Sequence, residues 1–218
     1  MLRQVCRRGR LEAILGGKAS DLEEQKFRSL FASALPNDAV STAQMMPLPS
    51  YELLLRHLNM SMTTFRDHRA LPHPPRARIL SPWAQFLRHV TIEQRIFAIA
   101  RSHVSNSTIL FRHNGDQLRC GRIYEIWRLD LDGANRTYLI ITPFVKLSAE
   151  DETKNTFRGR PGFFAQVLYA NDGQTEQFVI EPGQVVCHLA HRSRPRGTFG
   201  IHQATVVLVS LDRGKHEI

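Results

Sequence analysis

The sequence predicts an α+β fold, in which an N-terminal helical segment over residues 1–70 is followed by a mostly antiparallel β-barrel over residues 85–212. Three observations carry this reading. The hydrophobic period changes from 3.6 residues to 2 near residue 85. Four prolines, Pro72, Pro74, Pro75 and Pro82, sit at the change and exclude a continuous helix through it. Beyond it, short apolar runs alternate with glycine-containing turns, the pattern of a curled or closed antiparallel sheet.

The first element is "SDLEEQKFRSLFASALP". Ser20 and Glu23 have capping-box spacing, and Phe27, Leu30, Phe31 and Ala34 fall on one helix face before Pro36 ends it. A second helix is expected in "SYELLLRHLNM", with Ser50 as its cap and Leu54 and Leu58 on one stripe. "SMTTFRDHRA" suggests a short third. Residues 71–84 then read as a semi-rigid extended connector between two domains.

Strands follow in "QFLRHVTI", "RIFAIA" and "TILFRH", with an Asn-Gly hairpin signal at His113 to Asp116. "GRIYEIWRLDL" and "TYLIITPFVKL" flank a turn at "LDGANR". After a polar loop come "FFAQVLYA", "EQFVI", "VVCHLAH" and "ATVVLVSL". The remaining residues, 213–218, read as a loose tail. In "RIYEIWRL" strict alternation places Ile123, Glu125, Trp127 and Leu129 on one side and Arg122, Tyr124, Ile126 and Arg128 on the other. Neither side is uniformly apolar, which fits a strand covered on both faces or kinked by a bulge near Tyr124. Trp127 is expected in the core.

Composition narrows the function. With 42% apolar and 22% charged residues, the chain has the make-up of a globular protein. No run approaches the roughly 18 apolar residues of a transmembrane helix, so no membrane partner is expected. The net charge of +9 favours an acidic partner, most simply nucleic acid. Residues 1–115 carry 16 Lys/Arg against 8 Asp/Glu, while residues 116–218 carry 13 against 12. Cys6, Cys120 and Cys187 are odd in number and far apart, which fits a reducing compartment, nuclear or cytoplasmic. The Arg-rich start "MLRQVCRRGRLEAIL" has the character of a mitochondrial presequence, but the helix it begins reads as part of a domain.

No constellation for catalysis, metal or cofactor emerges. Cys187, His188 and His191 are close in sequence, yet a second ligand pair is lacking, and strand alternation turns Cys187 and His188 to opposite faces. Asp130 and Asp132 read as turn chemistry. The candidate binding residues are arginines, which can pair bidentately with phosphate: Arg76, Arg78 and Arg88 around the connector, and Arg192, Arg194 and Arg196 before the last strand. Aromatic-surface candidates are Tyr124, Trp127, Tyr138 and Phe144, which could form a site for a peptide or a modified lysine.

Three motifs stand out in the β half: Ile123, Ile126 and Trp127; Val145 to Ser148; and Val179, Ile180, Pro182, Val185, Val186 and His188. By these it resembles the C-terminal region of transposase-derived proteins of mushroom-forming fungi, the KDZ and CACTA-like types. The resemblance spans roughly residues 86–213. Arg122 to Trp127 is also similar to a strand of bromo-adjacent-homology (BAH) domains, which are chromatin-associated β-barrels. "TPFVKL" stands where those domains carry a Trp-aromatic-x-Arg-Pro motif. The resemblance implies a BAH- or SH3-like barrel acting as a non-catalytic accessory module bound to nucleic acid or chromatin. A DDE-type nuclease needs carboxylates on an interleaved αβ core, and helices followed by strands do not supply one. A protein-interaction module, or a degenerate remnant without retained activity, is the alternative.

Overall fold

The computed structural model describes residues 42–60, 64–157, 165–170 and 176–210. All described residues belong to one compact unit, which begins at Thr42. The helix expected over residues 20–36 and the tail 213–218 lie outside the described residues.

In order, the elements are β1 (Ala43–Met45), helix α1 (Leu48–Met60), β2 (Phe65–Asp67), β3 (Arg78–Leu80), β4 (Trp83–Leu87), β5 (His89–Ile92), β6 (Arg95–Ala98) and β7 (Thr108–His113). The long strands β8 (Gln117–Leu131) and β9 (Ala134–Pro143) follow, then β10 (Val145–Lys146) and the one-turn helix α2 (Ala149–Glu152). The chain continues through β11 (Ala165–Tyr169), β12 (Phe178–Ile180), β13 (Val185–Arg194) and β14 (Thr205–Ser210). Every run read as a strand contains one.

The main sheet is antiparallel, in the order β1-β4-β8-β7-β13-β14-β11-β10, with β9 pairing both β8 and β12. Among the described residues no pairing joins the two ends of this path, so the sheet is open where a closed barrel was expected. β8 makes the branched order possible: its first half pairs with β7, its second half with β4, and its other edge with β9. The two hairpins at its ends follow from local sequence. Asn114 and Gly115 take positive φ between β7 and β8, and Asp132 and Gly133 do so between the paired Leu131 and Ala134. The latter is the two-residue Asp-Gly turn whose twist matches that of the strands.

Helix α1 starts two residues before the expected cap. Pro49 is tolerated in a first turn, so the helix runs from Leu48 and Ser50 lies inside it, buried. Tyr51, Leu54 and Leu58 form the buried stripe. The third helix is replaced by β2. The Asn59 side chain bonds both backbone groups of Phe65, at 2.7 and 3.0 Å, and β2 then pairs in parallel with β3.

The expected boundary at residues 71–84 falls inside the compact unit. Tyr51, Leu54 and Leu58 of α1 and Leu80 of β3 share an apolar cluster with Trp127, Leu129, Tyr138 and Ile140 of the β8–β9 hairpin. The Tyr51 hydroxyl donates to the Leu80 carbonyl and accepts from the His68 N–H, both at 3.1 Å. An amphipathic helix needs a surface to cover its stripe, and here the sheet supplies it.

Two further clusters complete the core. One gathers Phe97, Ile99, Ile109, Phe111, Ile123, Ile126, Leu139, Ile141 and Ile180, and the other Leu110, Cys120, Leu168, Cys187, Leu189, Val206 and Leu208. Neighbouring residues of one strand enter different clusters: Ile126 and Trp127, Leu139 and Tyr138, Ile109 and Leu110. The β7, β8 and β9 strands are therefore covered on both faces, as their mixed apolar patterns require.

A hollow at the bulge in β8

The ladder between β8 and β9 slips by one residue between Ile123 and Glu125, leaving Tyr124 without an opposite number on β9. This bulge corrects strict alternation. Ile123 joins the cluster of Ile126, whereas Trp127 and Leu129 join the cluster under α1. The extra residue resets the phase, so one strand serves two cores.

The loop after β6 holds the bulge from outside the ladder. The Ile123 N–H donates to the Ser107 carbonyl at 2.8 Å, and the Ala100 N–H donates to the Ile123 carbonyl at 2.9 Å. On the inner side, the Glu125 carboxylate accepts from the Ser50 hydroxyl and from the Trp127 indole N–H, both at 2.7 Å. Glu125 is thereby committed to α1 and the core.

Between β8, β9 and that loop lies a hollow of about 150 Å³, lined by Ala100, Arg122, Ile123, Tyr124, Thr142, Pro143 and Phe144. Tyr124 stands at it with 53% of its surface exposed. The Arg122 guanidinium lies 5.5 Å from the Phe144 ring centroid, and its Nε is buried without a hydrogen-bond partner. Thr142 Oγ1 accepts from Gln177 Nε2 at 3.3 Å. Close by, burial and the Arg122 charge hold the His191 imidazole below its ordinary value.

Of the four aromatic-surface candidates, Tyr124 and Phe144 meet at this hollow. Trp127 and Tyr138 do not belong to a surface: they are 2% and 1% exposed, because the bulge and the register of β9 turn them under α1. Trp127 is core, as expected. Arg122 was missed as a site residue; its signal was a cation two residues before Tyr124, on the same side of the strand by alternation.

The six arginine candidates lie on several elements. Arg78 on β3 pairs with Asp132 at the β8–β9 turn, and its guanidinium lies 4.9 Å from the Phe65 ring centroid. Exposed Arg76 precedes it with a positive φ of 66°. Exposed Arg88 occupies the break between β4 and β5. Arg192 and Arg194 sit on one face of β13 opposite Val207 and Thr205, and Arg196 is exposed in the turn that follows. β3 lies outside the main sheet and β13 is two places from β8 within it, so the six arginines share neither one strand nor one sheet.

The other side chains considered for chemistry are committed elsewhere. Cys120 and Cys187 belong to the third cluster; burial, with Cys187 as a neighbour, pushes the Cys120 thiol up to about 12. Strand geometry separates Cys187 from His188, whose ring stacks on Phe97 at 3.9 Å while its Nε2 lies 3.1 Å from the Ile96 carbonyl. His191 Nδ1 lies 3.3 Å from Thr108 Oγ1. Asp130 accepts from the Gly133 N–H at 2.8 Å and closes the hairpin turn. Among the described residues no three His, Cys, Asp or Glu side chains gather as a metal site, and no helix is long and apolar enough to cross a membrane.

No family model matches the chain, and no curated protein or solved structure matches it.

Proposed function

We propose that the chain is a non-catalytic accessory module that binds nucleic acid through arginine–phosphate contacts. The observation that carries this is the state of the arginines. Of Arg76, Arg78, Arg88, Arg192, Arg194 and Arg196, Arg78 alone has a carboxylate partner among the described residues. Guanidinium groups not neutralised by carboxylates are open to phosphate, and a net charge of +9 draws a polyanion to them.

Absence of catalysis is part of the proposal. It is supported by the commitment of Cys120 and Cys187 to the core, and of Asp130 and Asp132 to the turn and to Arg78. Transposon origin and kinship with BAH-type barrels are included as well, and rest on the strand motifs from Ile123 to His188. The open sheet is the point at which that kinship is weakest. A nuclear site of action follows from a chromatin partner and stands with it.

The competing reading, an aromatic surface for a peptide or modified lysine, keeps two of its four aromatics. Arg122 at the hollow repels a lysine or methylated lysine, which turns the balance toward an anionic ligand. A fluorescence titration of the full chain with labelled DNA at rising salt tests the proposal. Affinity should fall log-linearly with salt, with a slope set by the number of phosphates contacted. Absence of binding at low salt would leave a remnant without this activity, and salt-indifferent affinity would exclude phosphate contacts as its source.

A further inference from the structure

Resting on that nucleic-acid reading, we propose that the hollow at the β8 bulge takes one unpaired nucleobase of a single strand, stacked on Tyr124, with Arg122 meeting the adjoining phosphate.

Size comes first. A cavity of about 150 Å³ lies well below the roughly 300–1,000 Å³ of sites for drug-sized ligands, so it suits one ring and little more. Its chemistry has three parts. Tyr124 offers a solvent-facing π surface, a poor arrangement for a large aromatic unless something covers it. Arg122 brings a cation whose Nε is desolvated and unpartnered, a costly state that an anionic acceptor relieves. The Thr142 hydroxyl, which can both donate and accept, lines the same hollow.

A flat π face, edge donors and acceptors, and a neighbouring negative charge together describe a nucleotide. A base inside a duplex has its faces covered by its neighbours, so only an unpaired one can use the tyrosine. The nearest carboxylate in sequence, Glu125, is held on the other side by Ser50 and Trp127 and does not oppose the phosphate.

The test compares a labelled oligothymidylate with a duplex of equal length on the full chain, each over a salt series. Tyr124 is exposed, so Tyr124→Ala should fold as the parent does, which circular dichroism checks. Tyr124→Ala should weaken the single strand by about five- to a hundredfold and leave the duplex unchanged, while Tyr124→Phe retains binding. Arg122→Gln should make the salt slope shallower by about one phosphate. If Tyr124→Ala leaves single-strand affinity intact while both nucleic acids still bind in a salt-dependent way, the hollow is not the base site and the general reading survives. If neither nucleic acid binds, the general reading fails as well. If polyglutamate of equal charge displaces the oligonucleotide equally well, the site recognises acidic peptide and the proposal is overturned.

Discussion

The Trp127 indole donates to the Glu125 carboxylate, two residues earlier on the same strand, at 2.7 Å, and the Ser50 hydroxyl of helix α1 converges on the same oxygen. One acceptor thus satisfies a buried indole and pins a helix to a sheet. Removing it strands two donors. Glu125→Ala is expected to lower stability by about 1–3 kcal/mol, and Glu125→Gln by less, because the amide oxygen can still accept. Urea unfolding followed by tryptophan fluorescence would measure both.

The two tryptophans should separate spectroscopically. Trp83 is 59% exposed at the start of β4, paired with Met45 of the edge strand β1, whereas Trp127 is 2% exposed. Iodide should quench only part of the native emission. Trp83→Phe is expected to abolish the quenchable fraction with little loss of stability, since surface substitutions usually fall within about 0.5 kcal/mol. Quenching that persists unchanged in that variant would contradict the placement of Trp127.

Two glycines of the hairpin should fail for different reasons. A Cβ at Gly121 would lie 2.5 Å from Ile141 Cγ2 and 3.0 Å from the Thr142 carbonyl, so Gly121→Ala forces strands β8 and β9 apart. Its expected cost is about 1–3 kcal/mol. Gly133 has open space but a φ of +80°, so Gly133→Ala should cost about 1–2 kcal/mol through backbone strain. Gly133→Asn should recover part of that loss, whereas no side chain should rescue position 121.

Stability should fall on the alkaline side. The Cys120 thiol is pushed by burial from 9.0 to about 12, and burial also raises the Tyr51 and Tyr138 phenols above 10.0. The unfolded chain then loses protons first, so stability is full below about pH 9 and declines as pH rises toward 12. The slope is up to about 1.4 kcal/mol per pH unit for each group. Cys120→Ala should flatten the first part of that decline in urea titrations. On the acid side, burial lowers the His57 and His191 imidazoles, so stability should also fall as pH drops below 6.5.

Local signals in the sequence located the turns and strands well. Asn114-Gly115 and Asp132-Gly133 fix hairpins through their own φ preferences, and the mixed faces around Tyr124 foretold the bulge. What escaped was long-range. The start of α1 depends on Pro49 being tolerated in a first turn and on Glu125 accepting from Ser50 across 75 residues. β2 exists because Asn59 and β3 take up its backbone groups, and the sequence 61–70 carries no sign of either partner. The hollow was illegible for the same reason: Ala100, Arg122 and Phe144 meet only once the ladder is known.

The packing of α1 bears on how this stretch of chain can be inherited. Ser50 anchors on Glu125, and the His57 ring meets Tyr138 edge-on at 5.9 Å. A gene fragment beginning near residue 85 would encode the strands yet leave Trp127, Leu129, Tyr138 and Ile140 facing water, without the helix that shelters them. Recombination that moves the strands without the helix is therefore expected to yield a sticky product, whereas a piece that begins at Thr42 keeps this face covered.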